Sequence, residues 1–249
     1  MAAKISQNDS QTLRALLDLR EMLLRGDFRP GERILEVPLA ARLRVSRTPL
    51  RMALARLENE GFLESRPTVG YAAREFSVQD TLDAIELRGV LEGTAARLAA
   101  ERLESKQELS VMFDCVERLQ KLLGRKRAGI DLIARYVPLN ARLHEHLYQL
   151  AKSAMLRRAI DRALALPFAS PNCFVTSEAE SRDVAQALIL SNSQHLAICE
   201  AIANREGSRA EAVAREHSRM LRRSVGLALK QRRPDLIPGG SLIRIAEAS

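Results

Sequence analysis

Val45-Ser46-Arg47-Thr48-Pro49-Leu50-Arg51-Met52-Ala53-Leu54-Ala55-Arg56-Leu57 is the stretch that decides how this chain is read. Between Arg42 and Arg56 stand five arginines and no acid. Thr48 suits an N-cap and Pro49 the first helical position, where a missing N–H costs nothing, so the spacing predicts a helix from there to about Asn59, stopped by Gly61. Leu50, Ala53, Leu54 and Leu57 recur at helical spacing and form an apolar face, whereas Arg47, Thr48, Arg51 and Ala55 project from the other side. The helix is built to present guanidinium groups to an anion.

Working outward, Val37 to Leu43 predicts a short helix with Leu39, Ala40 and Leu43 inward. The bend at Arg44-Val45-Ser46 then gives helix, turn, helix, the geometry that lays a second helix in a DNA major groove. After Gly61, Phe62 to Ser65 and Gly70 to Ala73 read as two strands of a hairpin with a basic tip, a wing whose Arg66 could reach a phosphate or the minor groove. An isolated arginine-rich helix would read as a solvated face. Three elements in this order favour duplex DNA.

These residues resemble the winged helix-turn-helix of the GntR superfamily of bacterial transcription regulators. The resemblance covers Leu13 to Arg74 and is carried by Gly26, Pro30-Gly31, Leu39-Ala40, Val45 to Arg51, Ala53-Leu54, Leu57, Glu60-Gly61 and Gly70. It implies DNA contacts at Ser46, Arg47, Thr48 and Arg51, with the wing around Gly70. Met52 stands where the family usually has an acid.

A chain of 249 residues accommodates two domains of ordinary size, and a wing ending near Arg74 leaves most of it for the second. The net charge of +8 suits a polyanionic partner. Cys115, Cys173 and Cys199 are odd in number and widely spaced, which predicts neither a disulfide framework nor a thiolate zinc site and fits a reducing cytosol. No run of eighteen apolar residues predicts a membrane span, and residues 1–10 lack a hydrophobic signal segment, so a cytoplasmic location with no membrane partner is expected. With no Trp, three Tyr and six Phe, the core must come from Leu, Ala, Val and Ile, and base stacking on single strands is not expected.

From Ser77 onward the pattern is helical. Ser77-Val78-Gln79-Asp80 predicts a capping box opening a long helix, with Ala84, Leu87, Leu91, Ala95, Leu98 and Ala99 as its apolar stripe. Further helices are predicted over 106–123, 131–152 (with Pro138 near its start), 154–166, 178–205 and 209–232, the last opened by a second capping box at Ser208 to Glu211. The expected fold is mainly α: residues 1–9 flexible, a winged helix-turn-helix over 10–76, an all-α antiparallel bundle over 77–232, and a frayed tail over 233–249.

Three of the four histidines fall in related places on bundle helices. His195 and His217 lie symmetrically about residue 206, the predicted turn, so an antiparallel pair folded there brings both imidazoles level, each about 16 Å from the bend at 1.5 Å per residue. His144 shares a helix face with Asn140 four residues earlier. Singly, each histidine reads as structural; together they make a sensible shell for zinc, nickel or manganese. His146 points about 200 degrees away from His144 and reads as a surface or packing residue.

Residues 77–229 in turn resemble the FCD ligand-binding domain of the FadR-type subgroup. The matching elements are Leu87-Arg88, Leu91-Glu92, Ala95-Ala96, Asn140 with Leu143-His144 and Leu147, Ala151, His195 with Ala201-Ile202, and Ala212 with His217. The resemblance implies metal ligands at Asn140, His144, His195 and His217, with Asn140 where aspartate is commoner, and an effector-binding arginine at Arg88. For Arg88, an ion pair with Glu92 on the helix surface is the alternative. The expected function is a homodimeric repressor of a palindromic operator that responds to a small carboxylate. A metal-dependent bundle enzyme acting on small organic acids is the alternative.

Overall fold

In the computed structural model the described residues are 7–67, 70–124, 130–169, 182–234, 237 and 239–244. Thr68-Val69 at the wing tip, Gly129, Pro171, Cys173, residues 178–181 of the expected fifth bundle helix and the last five residues lie outside them. The N-terminal unit is built from α1 (Gln7–Arg25), α2 (Glu36–Leu43) and α3 (Arg47–Asn59), followed by strands β1 (Leu63–Arg66) and β2 (Gly70–Ala73). Helix α1 thus reaches into the expected flexible N-terminus.

Helix α3 begins two residues earlier than the proline predicted. Ser46, extended at φ −74° and ψ 167°, is the N-cap, and Arg47 and Thr48 belong to the first turn. Pro49 is tolerated there because the amides of the first turn have no intrahelical acceptor to lose. Arg44 closes α2 at φ 53°, and Gly61, at φ 83°, turns the chain out of α3 into β1. Leu50, Ala53, Leu54 and Leu57 are buried, as the periodicity predicts. β1 and β2 pair antiparallel from Leu63↔Ala73 to Arg66↔Gly70, and an Arg33↔Ala72 bridge adds a third strand position to the wing.

The bundle follows β3 (Phe76–Ser77) as α4 (Val78–Arg102), α5 (Ser110–Leu123), α6 (Ile130–Leu150, continuing through Pro138), α7 (Ala154–Leu164), α8 (Arg182–Ala203) and α9 (Gly207–Lys230). Short 3-10 turns at Lys106–Leu109 and Pro167–Ala169 precede α5 and follow α7. The first capping box forms: Ser77 Oγ accepts from the Asp80 amide, and Asp80 accepts from the Ser77 amide. The second does not, because α9 starts at Gly207 with Glu206 as N-cap and no side-chain cap bond.

α4 is the central helix, and its apolar stripe differs from expectation. Leu87 is exposed, while Thr81, Arg88, Gly89, Glu92 and Gly93 are buried with the alanines. The reason is the close approach of α9: a Cβ at Gly89 would lie 2.8 Å from Ser218 Cβ, and one at Gly93 would lie 2.7 Å from Arg215 Cγ. A second helix lies against the glycine-bearing side, so more than one face of α4 is interior.

The expected frayed tail fails for its middle part. A 3-10 turn at Gly240–Leu242 leads into β4 (Ile243–Arg244), which pairs in parallel with β3. Ile237, Leu242 and Ile243 are buried in one core with Leu16, Leu19 and Leu23 of α1, Ile85 of α4, and Leu221 and Val225 of α9. Hydrophobic burial of about 1.5–3 kcal/mol per side chain outweighs the ordering cost that composition alone would have left unmet. The winged N-terminal unit and the bundle therefore share one core. A second core fills the space among α4, α5, α6, α8 and α9.

Candidate metal centre and nucleic-acid interface

His195 on α8 and His217 on α9 meet at the level the register predicts: their Nε2 atoms are 3.2 Å apart. Four ligands at about 2.0–2.1 Å in tetrahedral array lie about 3.3 Å from one another, so this spacing is that of two nitrogens sharing one ion. His144 on α6 completes the group. Its ring centroid is 5.3 Å from that of His195 and 5.6 Å from that of His217, and one nitrogen of each of the three falls within 4.8 Å of the others.

The tautomers are set from outside. His144 Nδ1–H donates to Glu92 Oε1 at 3.0 Å, and His217 Nδ1–H donates to Gln194 Oε1 at 3.1 Å. Both Nε2 lone pairs are thereby left to the interior, the arrangement in which a carboxylate or amide orients an imidazole for a cation. His144 Nε2 and His195 Nδ1 are buried and have no hydrogen-bond partner. An orphaned imidazole nitrogen beside two others is a costly apolar arrangement and a natural cation-binding one, so the residues fit a divalent ion. Burial, then the neighbouring imidazoles, push His195 well below its ordinary range, and the same causes lower His217 to about 3. His195 and His217 are thus neutral, as ligands must be.

Asn140 lies one turn before His144 and is buried; its Oδ1 accepts from the Tyr136 hydroxyl at 3.5 Å. His146 points elsewhere, with Nε2 2.7 Å from the Glu108 carbonyl oxygen. Arg88 is buried: its Nε is 3.3 Å from Glu92 Oε2, Nη1 donates to the Ala169 carbonyl at 3.0 Å, and Nη2 donates to Ser218 Oγ at 3.3 Å. The ion pair with Glu92 forms in the interior, not on the surface.

Glu92 is the functional residue that sequence reasoning missed. Besides His144 it accepts from the Tyr148 hydroxyl at 2.6 Å and the Ser218 hydroxyl at 3.1 Å. Burial opposes its ionisation, but the Arg88 guanidinium and His144 outweigh burial and keep the carboxyl well below the usual carboxylate range. Gly89 and Gly93, one turn apart on the same side of α4, were the available signal, since small residues at i and i+4 let a second helix approach closely.

At the other end of the molecule, Ser46, Arg47, Thr48, Arg51, Arg66 and Gly70 are all exposed. Arg51, 70% exposed, has its Nε 3.5 Å from Glu36 Oε2. Arg66 Nε donates to Glu64 Oε1 at 2.6 Å, a pair between half-exposed side chains of the wing. Such pairs contribute little and exchange readily for a phosphate. Arg47, Thr48 and Arg51 face solvent at the N-terminal end of α3, an arrangement that suits an anion or a groove edge.

Comparison with known proteins places both halves. Residues 11–72 match the bacterial regulatory proteins of the gntR family, and residues 83–220 match the FCD domain. The Nta operon transcriptional regulator of Aminobacter aminovorans is 41% identical over 133 residues, 53% of this chain and 60% of that protein. The transcriptional repressor RspR of Escherichia coli is 24% identical over 205 residues, 79% of this chain and 80% of that protein. The solved structure of E. coli McbR/YncC superposes with a TM-score of 0.62 at 21% identity, covering 89% of this chain and 98% of that one, a likeness of fold. The gntR family is one of bacterial regulatory proteins, and both relatives are named as transcriptional regulators; the chain spans about 60% of the length of the first of them. No helix among the described residues is long and apolar enough to cross a membrane. The chain belongs to the GntR family of bacterial regulatory proteins, with a C-terminal FCD domain.

Proposed function

We propose that the chain is a homodimeric transcription repressor that reads a palindromic operator through α3 and the wing, and that releases it when a small carboxylate metabolite binds beside a divalent metal in the bundle. The observation that carries this reading is the three-histidine cluster with an orphaned His144 Nε2, held by α6, α8 and α9 within the part of the chain that matches the FCD domain. His144, His195 and His217 would hold the ion, with Asn140 contributing its amide oxygen. Zinc, nickel and manganese all suit imidazole and oxygen donors. The ion's positive charge would attract the effector's carboxylate. Arg88 becomes its second anchor if the guanidinium releases Ser218 or Ala169, which would shift α9 and the turn beside β3 together.

Two measurements test the reading. In protein purified without a histidine tag, elemental analysis is expected to find one divalent ion per chain, lost in His195→Ala. Arg51→Ala is expected to weaken operator binding by about 1–3 kcal/mol in a mobility-shift titration. Equal affinity would take Arg51 off the DNA surface, and a metal-free wild type would leave the histidines as direct effector ligands.

A further inference from the structure

We propose a second ligand site, unrelated to the histidines: a cleft between α5 and α6 that takes a small polyvalent oxyanion, either a polyphosphate or a polycarboxylate. The cleft encloses about 540 Å³, within the range of small-molecule sites, and its apolar floor includes Leu122 and Leu139. Four cations line it, Arg118 and Lys121 from α5, Arg135 and Arg142 from α6, and no acid does.

Helices packed side by side ordinarily set opposite charges across their seam, because like charges facing each other destabilise the pair. Here both sides carry the same sign. Asp114 and Glu117 pair with Arg118 and Lys121 along α5 itself, one turn back, and neither lines the cleft. Among the described residues Arg142 has no ion-pair partner. Two cations per wall, spaced at i, i+3 on α5 and i, i+7 on α6, each form a row along one helix face. A bound anion of two or more charges can meet cations from both walls at once. A cleft of this volume with an apolar floor suits a compact anion better than a duplex, whose backbone needs a long, continuous surface.

The test is thermal melting of the full chain with pyrophosphate or citrate against sodium chloride at matched ionic strength, in the His195→Ala background so that the metal centre plays no part. A saturable rise of about 5–10 °C is expected at concentrations near 100-fold above Kd, and the anion giving it at lower concentration identifies the ligand class. The double variant Arg135→Gln/Arg142→Gln should lose the rise, and Lys121→Gln should weaken it. A response no larger than chloride's, or one retained in the double variant, overturns the site. So does a double variant that loses operator affinity and salt dependence while keeping its anion response, which would make the cleft a DNA contact.

Discussion

Glu92 stands where three demands meet: it neutralises Arg88, fixes the tautomer of His144 and accepts from two hydroxyls. Removing its charge leaves a buried guanidinium uncompensated, so Glu92→Gln is expected to destabilise the fold by about 3–5 kcal/mol in denaturant unfolding. Where the variant folds, metal affinity should fall about 10–100-fold, because His144 loses the carboxylate that orients it. The neighbouring imidazoles set an acid limit. In the unfolded chain they protonate near 6.5; in the fold they stay neutral well below that, His217 to about 3. Between those values the unfolded state binds more protons, so stability falls as pH falls and is complete above about 6.5. The slope approaches about 1.4 kcal/mol per pH unit for each imidazole. Melting of chelator-treated protein should therefore decline from pH 6.5 to 5 and steepen below about 4.5 as Glu92 titrates in the unfolded chain; a flat profile from 6.5 to 5 would contradict buried neutral histidines.

Among elements, the α4–α9 pair sets how close Ser218 and His217 come to Glu92. A methyl at position 89 meets Ser218 Cβ at 2.8 Å and must push α9 outward. Gly89→Ala is accordingly expected to cost about 1–3 kcal/mol despite alanine's better helix propensity, and to weaken metal binding measured by competitive chelation. Periodicity made most of these elements legible. It located α3 by its four buried apolar residues, and it placed the α8–α9 turn well enough to level two imidazoles across it. It failed on α4, because a stripe is a signal only for a helix with one interior side; Leu87 matched the pattern and is exposed, while Arg88 and Glu92 broke it and are buried. The start of α3 was misplaced for a local reason: proline is welcome anywhere in the first turn, so Pro49 fixed the turn and not the residue.

For the whole molecule, composition and motif order gave two units, a winged one and a helical one, and missed what joins them. Residues 237–244 read as a tail because Pro, Gly and Ser dominate there, and their three apolar side chains have no periodicity to announce them. The acceptor surface explains the outcome: β3 offers an unpaired edge, and α1 leaves a gap at Gly26, where a Cβ would lie 2.9 Å from that of Ser241. Phe168 packs edge-on against Phe76 of β3, ring centroids 4.8 Å apart, and the adjacent Ala169 carbonyl is held by Arg88. A path of direct contacts thus runs from His144 through Glu92 and Arg88 to the strand that links the two units.

Phe76 waits for Ile243, about 170 residues downstream, before its strand finds a neighbour. During synthesis the winged unit emerges early yet cannot bury its underside until the whole bundle has been made. Ribosome-bound nascent chains would then carry a loosely seated winged unit, finished only when residues 237–244 arrive to close its core.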